Sequence, residues 1–403
     1  MGIMTENKTQ IFNKLAVLGL WTLLLVGTIT NGLDVLGMLL TGATLDTITT
    51  IIKNISMVIL GISLVPVFLK EKKVIISTLL IFGALWYWSS TKSPLNTPFL
   101  LSNMQAFFLE GLPYLWFFAY FIESDNTSSN DLFNLLYKIC RMKLIIALVT
   151  QMIMFIAPQT DIFHDYMNAA NALLLGLLVV AAHNMRSKHS RRSDNIMEVV
   201  AVLSILALGS RGGVLCYGSF YLLYFLFMTS GKKKVTYIWL GAIALLFMYL
   251  LMPAIIESLA GSNNRLAKMF SSNTLVHDDN RALIYTILLR DFADNPLGMG
   301  IMADRAILTT SNEIWETFYA HNLFLELIVD FGYIGIFASI LLVVWIVRQL
   351  RKSSSYNVLL LCILVSCSFV KLMVSSSLWL DPIFWALIGS LWCINKRNKI
   401  LQS

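Results

Sequence analysis

The chain has 403 residues, of which 57% are hydrophobic and 13% are charged, and its formal net charge is +7. A soluble domain does not need so many apolar residues to fill its core, so the composition excludes an ordinary soluble protein and predicts a membrane protein. A positive net charge can also indicate nucleic-acid binding. Here the Lys and Arg residues lie in short clusters between apolar stretches, where they orient membrane helices, and we expect no nucleic-acid partner.

Apolar stretches that can cross a membrane recur along the whole chain. A helix needs about 20 residues to cross roughly 30 Å of hydrocarbon. We therefore predict an all-α, polytopic bundle of about twelve transmembrane helices, with residues 1–403 forming a single integral membrane domain. The predicted spans are residues 15–31, 50–69, 74–91, 99–121, 142–158, 166–184, 195–209, 213–229, 235–252, 321–347, 356–374 and 380–394.

The basic clusters predict how these helices are oriented, because cytoplasmic loops are enriched in Lys and Arg. With twelve spans, all clusters fall on one side, so both termini are predicted to be cytoplasmic in a bacterial inner membrane. The clusters are Lys70, Lys72 and Lys73; Lys138, Arg141 and Lys143; Arg186, Lys188, Arg191 and Arg192; Lys232, Lys233 and Lys234; Arg348, Arg351 and Lys352; and Lys396, Arg397 and Lys399. The predicted outer segments are residues 32–49, 92–98, 159–165, 210–212, 253–320 and 375–379.

Residues 34–50 determine whether the later basic clusters all lie on one side. They are fairly apolar but contain Asp34, Asp46 and several threonines. A thirteenth span here would reverse the side of every later basic cluster. We interpret the segment as external or partly embedded and amphipathic.

The long polar stretch from Pro253 to Ala320 is predicted to form a large periplasmic loop, residues 253–320, and it carries acidic and basic residues together. Residues 281–292 have the apolar spacing of an amphipathic helix, with capping residues before it and the glycine-bearing turn Asn295–Gly300 after it. A helix that takes part in a functional loop and a solvated helix that lies on the membrane surface would have the same periodicity, so both interpretations stay open.

Two short motifs are predicted at the same outer face. The sequence Gly209–Gly213 places Arg211 in a tight turn between apolar helices. Insertion of an arginine at membrane depth costs roughly 2.5 to 3.5 kcal/mol of free energy unless the side chain snorkels or has a partner. The segment Ala320–Glu326 begins an apolar span with His321 and Asn322. Glycines can serve only to reverse a chain, and a histidine at the start of a helix is more often a cap than a catalyst.

Taken together, the motifs place Arg211, Arg281 and His321 on one side of the bilayer. A planar, permanently charged guanidinium suits a phosphate group, and an imidazole that titrates near pH ~6.5 suits proton transfer. The pattern therefore indicates a phosphate-bearing substrate and a general base.

The order of these motifs resembles that of the bacterial O-antigen ligase and polymerase superfamily. It consists of SRG at the end of a helix, an arginine-led amphipathic helix and NPxGxG turn in one large loop, and HNxxLE followed by Gly332–Gly335. The resemblance covers mainly residues 195–350. Each motif is weak alone, but their order, spacing and common sidedness make the combination specific.

The resemblance implies glycosyl transfer outside the cytoplasm, from an undecaprenyl-diphosphate-linked saccharide to a hydroxyl acceptor. By position, Arg211 and Arg281 would hold the diphosphate and His321 would accept the hydroxyl proton. Further candidates for substrate binding are Ser210, Arg265, Arg290, Arg305, Asn322 and Glu326. The second HN dipeptide, His183-Asn184, falls at the predicted cytoplasmic end of a helix and is rejected as a site.

No cofactor and no metal are expected, because the lipid diphosphate is itself the leaving group. The chain has no DxD motif near the predicted site, and its five cysteines show no CxxC spacing. Asp278-Asp279 is interpreted as a helix cap. Besides the lipid-linked oligosaccharide and membrane lipid, a chain-length regulator protein is a candidate partner.

The resemblance leaves the acceptor open. A polymerase adds the growing chain to a new lipid-linked repeat unit, whereas a ligase adds it to the lipid A core. The SRGG sequence and the LE after HN favour a polymerase, while twelve spans and the loop size fit both. A transporter or flippase is the second alternative, although such proteins usually carry internal repeats and charges near the midplane. Lys371 is the one candidate for such a charge, near an outer helix end.

Overall fold

The structure is a computed structural model that describes residues 2–41, 45–123, 129–156, 166–187, 191–208, 210–229, 231, 279–311 and 319–400. In these ranges every regular element is helical and no strand occurs, so the predicted all-α class is confirmed for them. The predicted span 235–252 and the first part of the predicted loop, residues 253–278, lie outside the described residues.

The helices follow the apolar stretches of the sequence. Their bounds are α1 Gly2–Thr41, α2 Asp46–Lys92, α3 Thr97–Gln105, α4 Leu112–Glu123, α5 Ser129–Ile156, α6 Tyr166–Arg186, α7 Arg192–Ala207, α8 Arg211–Met228, α9 Asp279–Asp294, α10 Ala303–Thr310, α11 Leu323–Phe331, α12 Tyr333–Lys352, α13 Ser355–Leu364 and α14 Pro382–Ile400. A 3₁₀ turn, Pro94–Asn96, precedes α3, and π-helical segments at Ala106–Gly111 and Val365–Val370 continue α3 and α13.

Four of the described helices contain stretches that are long and apolar enough to cross a membrane by length and composition. These stretches are Gln10–Leu40, Asp46–Lys92, Ala169–Arg186 and Tyr333–Lys352. They support an integral membrane protein. The count of twelve spans stays a prediction.

The first two helices differ from the predicted boundaries. α1 continues to Thr41, so the beginning of the predicted outer segment 32–49 is helical, because residues 32–41 contain no proline to stop the helix. α2 joins two predicted spans, and at 47 residues it would be about 70 Å long, more than one membrane crossing requires. Its kink lies at Glu71, where φ is −105° and ψ is 26°, between the two predicted spans.

The span predicted at residues 321–347 is instead divided into α11 and α12 by Gly332, which has φ 61° and ψ −135°. The Tyr333 N–H donates to the Pro296 carbonyl at 3.1 Å. A side chain at Gly332 would meet that same carbonyl, because a Cβ built there would lie 2.0 Å from the Pro296 oxygen. The division therefore results from contact with the NPxGxG turn, a contact that local periodicity does not reveal.

The chain forms two compact units. The first contains residues 1–80, 108–205 and 385–403, and the second contains residues 81–107 and 206–384. In the first unit α5 packs against α1, α4 and α6. Every residue of α4 from Leu112 to Ile122 is buried, as expected for a helix that is apolar on all sides. The Tyr114 hydroxyl donates to the Leu23 carbonyl at 2.8 Å and ties α4 to α1.

In the second unit the amphipathic helix α9 has a protein partner. Ile284, Ile287 and Leu288 recur at helical spacing and are 0–3% exposed, and they form a core with apolar residues of α10 and α11. This core includes Ile307 and Val329. The apolar face of α9 is therefore covered by protein, in contrast to the surface-lying helix that the periodicity also allowed.

The predicted glycine-bearing turn after α9 is confirmed, and it fixes α9 to the end of α11. Gly298 and Gly300 have φ values of 77° and 94°, a region that favours glycine. The Met299 N–H donates to the Val329 carbonyl at 3.0 Å, and the Gly300 N–H donates to the Asp330 carbonyl at 2.9 Å. These bonds require close approach of two backbones, which explains the glycines of NPxGxG.

We expect Gly300→Ala to destabilise the protein and Gly83→Ala to leave it unchanged or slightly more stable. A Cβ at Gly300 would lie 2.9 Å from the Ser89 Cα in a left-handed backbone conformation, whereas a Cβ at Gly83, in α2, would meet nothing within 4 Å. The expected cost at Gly300 is about 1 to 3 kcal/mol. Thermal unfolding of the purified variants in detergent measures it, and equal midpoints for both variants would contradict this account of the turn.

Candidate functional site

The candidate site is arranged around residues 371–381 of the second unit, here called the Ser-rich turn. Its ends are joined by an ion pair between Lys371 and Asp381, whose side chains are 12% and 0% exposed. Asp381 also begins α14, because its Oδ1 accepts hydrogen bonds from the N–H groups of Ile383 (3.0 Å) and Phe384 (3.1 Å). The turn is thus a segment closed at its ends, and two of its backbone groups, the Val374 carbonyl and the Ser376 N–H, bond side chains of other elements.

Arg281 binds this turn from the first turn of α9. Its Nη2 donates to the Val374 carbonyl at 3.1 Å, and its side chain is half-buried. The Val374 side chain also lies beside α8, because a Cβ built at Gly212 would be 3.5 Å from the Val374 Cγ2. The N-termini of α8 and α9 therefore meet at the same turn, and helix N-termini carry a partial positive charge that favours anions.

Two other predicted residues lie at the start of α8. The Ser210 hydroxyl caps this helix by accepting a hydrogen bond from the Gly213 N–H at 3.3 Å. The backbone of Arg211 forms the first helical residue, while its side chain lies outside the described atoms. Ser210 therefore positions the helix end that carries Arg211.

His321 has a constrained backbone. Its φ is 52°, in the left-handed region that residues other than glycine rarely adopt. On one side, the Ala320 N–H donates to Asp304 Oδ2 at 2.8 Å. On the other side, Asn322 caps α11, and its Oδ1 accepts from the N–H groups of Phe324 (3.0 Å) and Leu325 (3.2 Å). The histidine conformation is therefore fixed from both sides, and Asn322 contributes through the backbone.

The Glu326 carboxylate is directed into the protein. It is 2% exposed and accepts hydrogen bonds from the Ser377 hydroxyl and from the Leu378 N–H, the latter at 2.9 Å. Both partners belong to the Ser-rich turn. Glu326 therefore holds this turn against α11, and its predicted contact with substrate stays a prediction.

Asp330 performs the same role one helical turn later, and sequence reasoning did not single it out. Its Oδ2 accepts from the Trp379 Nε1 at 2.7 Å and its Oδ1 accepts from the Ala303 N–H at 3.3 Å. Trp379 in turn packs edge-to-face against Phe107, with ring centroids 5.8 Å apart. The available signal was a second acidic residue four positions after Glu326 on an apolar helix, where both lie on one face.

The three remaining arginines predicted to bind substrate lie at different positions. The Arg305 guanidinium carbon lies 5.7 Å from the centroid of the Tyr319 ring, close to His321. Arg290 is nine positions after Arg281, about two and a half helical turns, so it lies on the opposite face of α9 and is exposed. Arg265 lies outside the described residues.

Asp304 combines burial with a nearby cation. Its side chain is 0% exposed, and this burial raises the pKa of its carboxyl group, while the charge of the adjacent Arg305 opposes the increase.

Among the described residues, no group of three or more His, Cys, Asp or Glu side chains is placed to hold a metal ion.

The dipeptide His183-Asn184 belongs to the first unit and takes part in packing there. The His183 ring stacks on Tyr137 with centroids 3.7 Å apart and an interplanar angle of 12°. The Asn184 amide donates to Glu198 Oε2 at 2.8 Å. These contacts join α5, α6 and α7.

Comparison with known proteins gives one match. Residues 196–340 match the model of the family described as O-antigen ligase. No curated protein and no solved structure matches the chain. The matched segment covers about a third of the chain and contains SRG, α9, the NPxGxG turn and HNxxLE. The match thus confirms, over residues 196–340, the resemblance to the O-antigen ligase and polymerase superfamily that these motifs indicate.

Proposed function

We propose that this protein is an O-antigen polymerase of the bacterial inner membrane. It would transfer an undecaprenyl-diphosphate-linked glycan to a hydroxyl of another lipid-linked repeat unit at the periplasmic face. The observation that carries the proposal is that Arg281 and the segment ending in His321 contact one short turn. Arg281 binds Val374, and Tyr319, two residues before His321, binds Ser376.

The donor diphosphate would bind where α8 and α9 begin. Residues 374 and 376 are at most about 7 Å apart along the chain, so the Arg281 and Tyr319 contacts to the turn are close together. Arg281 and Arg211 would contact the phosphate oxygens, and the two helix N-termini add partial positive charge. These interactions strengthen as negative charge develops on the departing diphosphate.

The transfer would be a single displacement. The acceptor oxygen forms a bond to the anomeric carbon of the donor, and the bond from that carbon to the phosphate oxygen breaks. His321 takes the acceptor proton, and undecaprenyl diphosphate leaves with the electron pair of the broken bond. Attack from the opposite side inverts the anomeric configuration.

An O-antigen ligase is the second candidate, because the matching family carries that description. The donor site and base would be the same, and the acceptor would be the lipid A core. The preference for a polymerase over a ligase rests on the SRGG and HNxxLE sequences. If the protein is the polymerase, a chain-length regulator protein is a candidate partner.

The lipopolysaccharide of a deletion strain tests the function. A single repeat unit on the core would support the polymerase, and bare core with accumulated lipid-linked polymer would identify the ligase. An unchanged ladder would contradict both.

We expect Arg281→Ala to leave the deletion phenotype uncorrected, and Arg281→Lys to restore it poorly because a point charge does not reproduce bidentate contact.

The matched variant in this experiment is Arg290→Ala, which removes the same charge from the opposite face of α9. It should restore the ladder at equal protein levels. Equal restoration by Arg281→Ala and Arg290→Ala would remove Arg281 from the proposed donor site.

We expect His321→Ala to lose transfer while it still binds the lipid-linked donor. General-base assistance contributes roughly 10² to 10⁴ in rate, and the variant should lose about that much. Purified protein in detergent, with a synthetic lipid-linked donor and acceptor, measures turnover with and without EDTA. EDTA should have no effect, and the product should have inverted configuration. Wild-type turnover by His321→Ala, strict metal dependence or retained configuration would count against the mechanism.

A further inference from the structure

Tyr319 lies at the centre of contacts that the sequence motifs did not include. Its ring centroid is 3.9 Å from that of His321, with an interplanar angle of 36°. Its hydroxyl oxygen accepts a hydrogen bond from the Ser376 N–H at 3.1 Å. Both ends of the tyrosine side chain are therefore engaged, one with the predicted base and one with the Ser-rich turn.

The turn connects Tyr319 to Arg281, which with Arg211 forms the predicted diphosphate clamp. Val374, which accepts the hydrogen bond from Arg281, lies two residues before Ser376. Ser376 itself has φ 68°, a left-handed conformation that serine rarely adopts. This conformation is found at the residue whose N–H donates to the tyrosine.

The charges near this ring are mixed. The Arg305 guanidinium lies within cation–π distance of Tyr319, and Arg281 is held at the same turn. The Asp304 carboxylate accepts a hydrogen bond from the N–H of Ala320, the residue between Tyr319 and His321. The Glu326 carboxylate, on α11, holds the Ser-rich turn. Within this set of charges, the Tyr319 ring lies against the imidazole, with the two ring planes inclined by 36°.

We propose that Tyr319 is a positioning residue for the transfer reaction. Its ring orients the His321 imidazole, and its hydroxyl joins this base to the turn that holds Arg281. This inference rests on the proposed function, and it adds a residue that would set the base and the clamp relative to each other.

The two contacts predict separable effects. An aromatic face favours a cation stacked on it, so the ring of Tyr319 stabilises the protonated imidazole. Loss of the ring should therefore move the acid limb of the pH–rate profile to lower pH, by about half a pH unit. Loss of orientation should also lower kcat about 10- to 100-fold. Loss of the hydroxyl alone should lower kcat several-fold and leave the acid limb in place.

The experiment compares Tyr319→Leu and Tyr319→Phe in the purified full-length protein, with the synthetic donor and acceptor across the pH range. Tyr333→Phe, at a tyrosine that is 63% exposed on α12, is the control and should behave as wild type. Ethoxyformylation of His321 by diethyl pyrocarbonate, followed by mass spectrometry, reports the protonation of the imidazole without turnover. Its pH midpoint should shift in Tyr319→Leu and stay unchanged in Tyr319→Phe.

The outcomes separate the two levels of the proposal. Loss of activity in His321→Ala together with a wild-type pH profile and modification curve in Tyr319→Leu would overturn the role of Tyr319 alone. Wild-type kcat in Tyr319→Phe would overturn the link through Ser376, and this variant keeps the ring and gives a result even where Tyr319→Leu does not accumulate. A wild-type protein without transfer activity would instead overturn the proposed function.

Discussion

Glu326 and Asp330 lie one turn apart on α11, and their buried carboxylates hold the Ser-rich turn in place. A carboxylate that leaves water loses a large hydration energy unless protein donors replace the water. Here each carboxylate accepts two hydrogen bonds, from Ser377 and Leu378 in one case and from Trp379 and Ala303 in the other. Such bonds fix geometry more strictly than apolar contacts because they depend on direction as well as distance.

The positions of the proposed functional groups follow from this interaction. The turn that the two carboxylates hold presents the Val374 carbonyl to Arg281 and the Ser376 N–H to Tyr319. On the other side, the core beneath α9 and the NPxGxG turn fix α9 relative to α11. The arrangement brings the start of two helices and the conformationally restricted His321 to one small region. A protein that binds a diphosphate and removes a proton requires such proximity.

Part of this arrangement could be predicted from the sequence. The amphipathic helix, the turn after it and the group His321–Asn322 are encoded by short patterns, and all appear at the expected positions. The second half of the site could not be found in this way. Arg281 and Val374 are 93 residues apart, and Tyr319 and Ser376 are 57 residues apart, so no local periodicity connects them. For the same reason the sequence does not reveal that Glu326 holds the Ser-rich turn, because its partners lie in a distant segment.

The basic clusters predict that α9, α10 and the start of α11 lie at the face away from the cytoplasm. Single cysteines at Ser311, which follows α10, and at Ser354, which follows the cluster Arg348–Lys352, test this directly. The five native cysteines, all buried, would first be replaced by alanine. In intact spheroplasts, a membrane-impermeant maleimide should label the cysteine at position 311 and should label position 354 only after lysis. Labelling of position 354 in intact cells, with protection at position 311, would contradict a site on the periplasmic side.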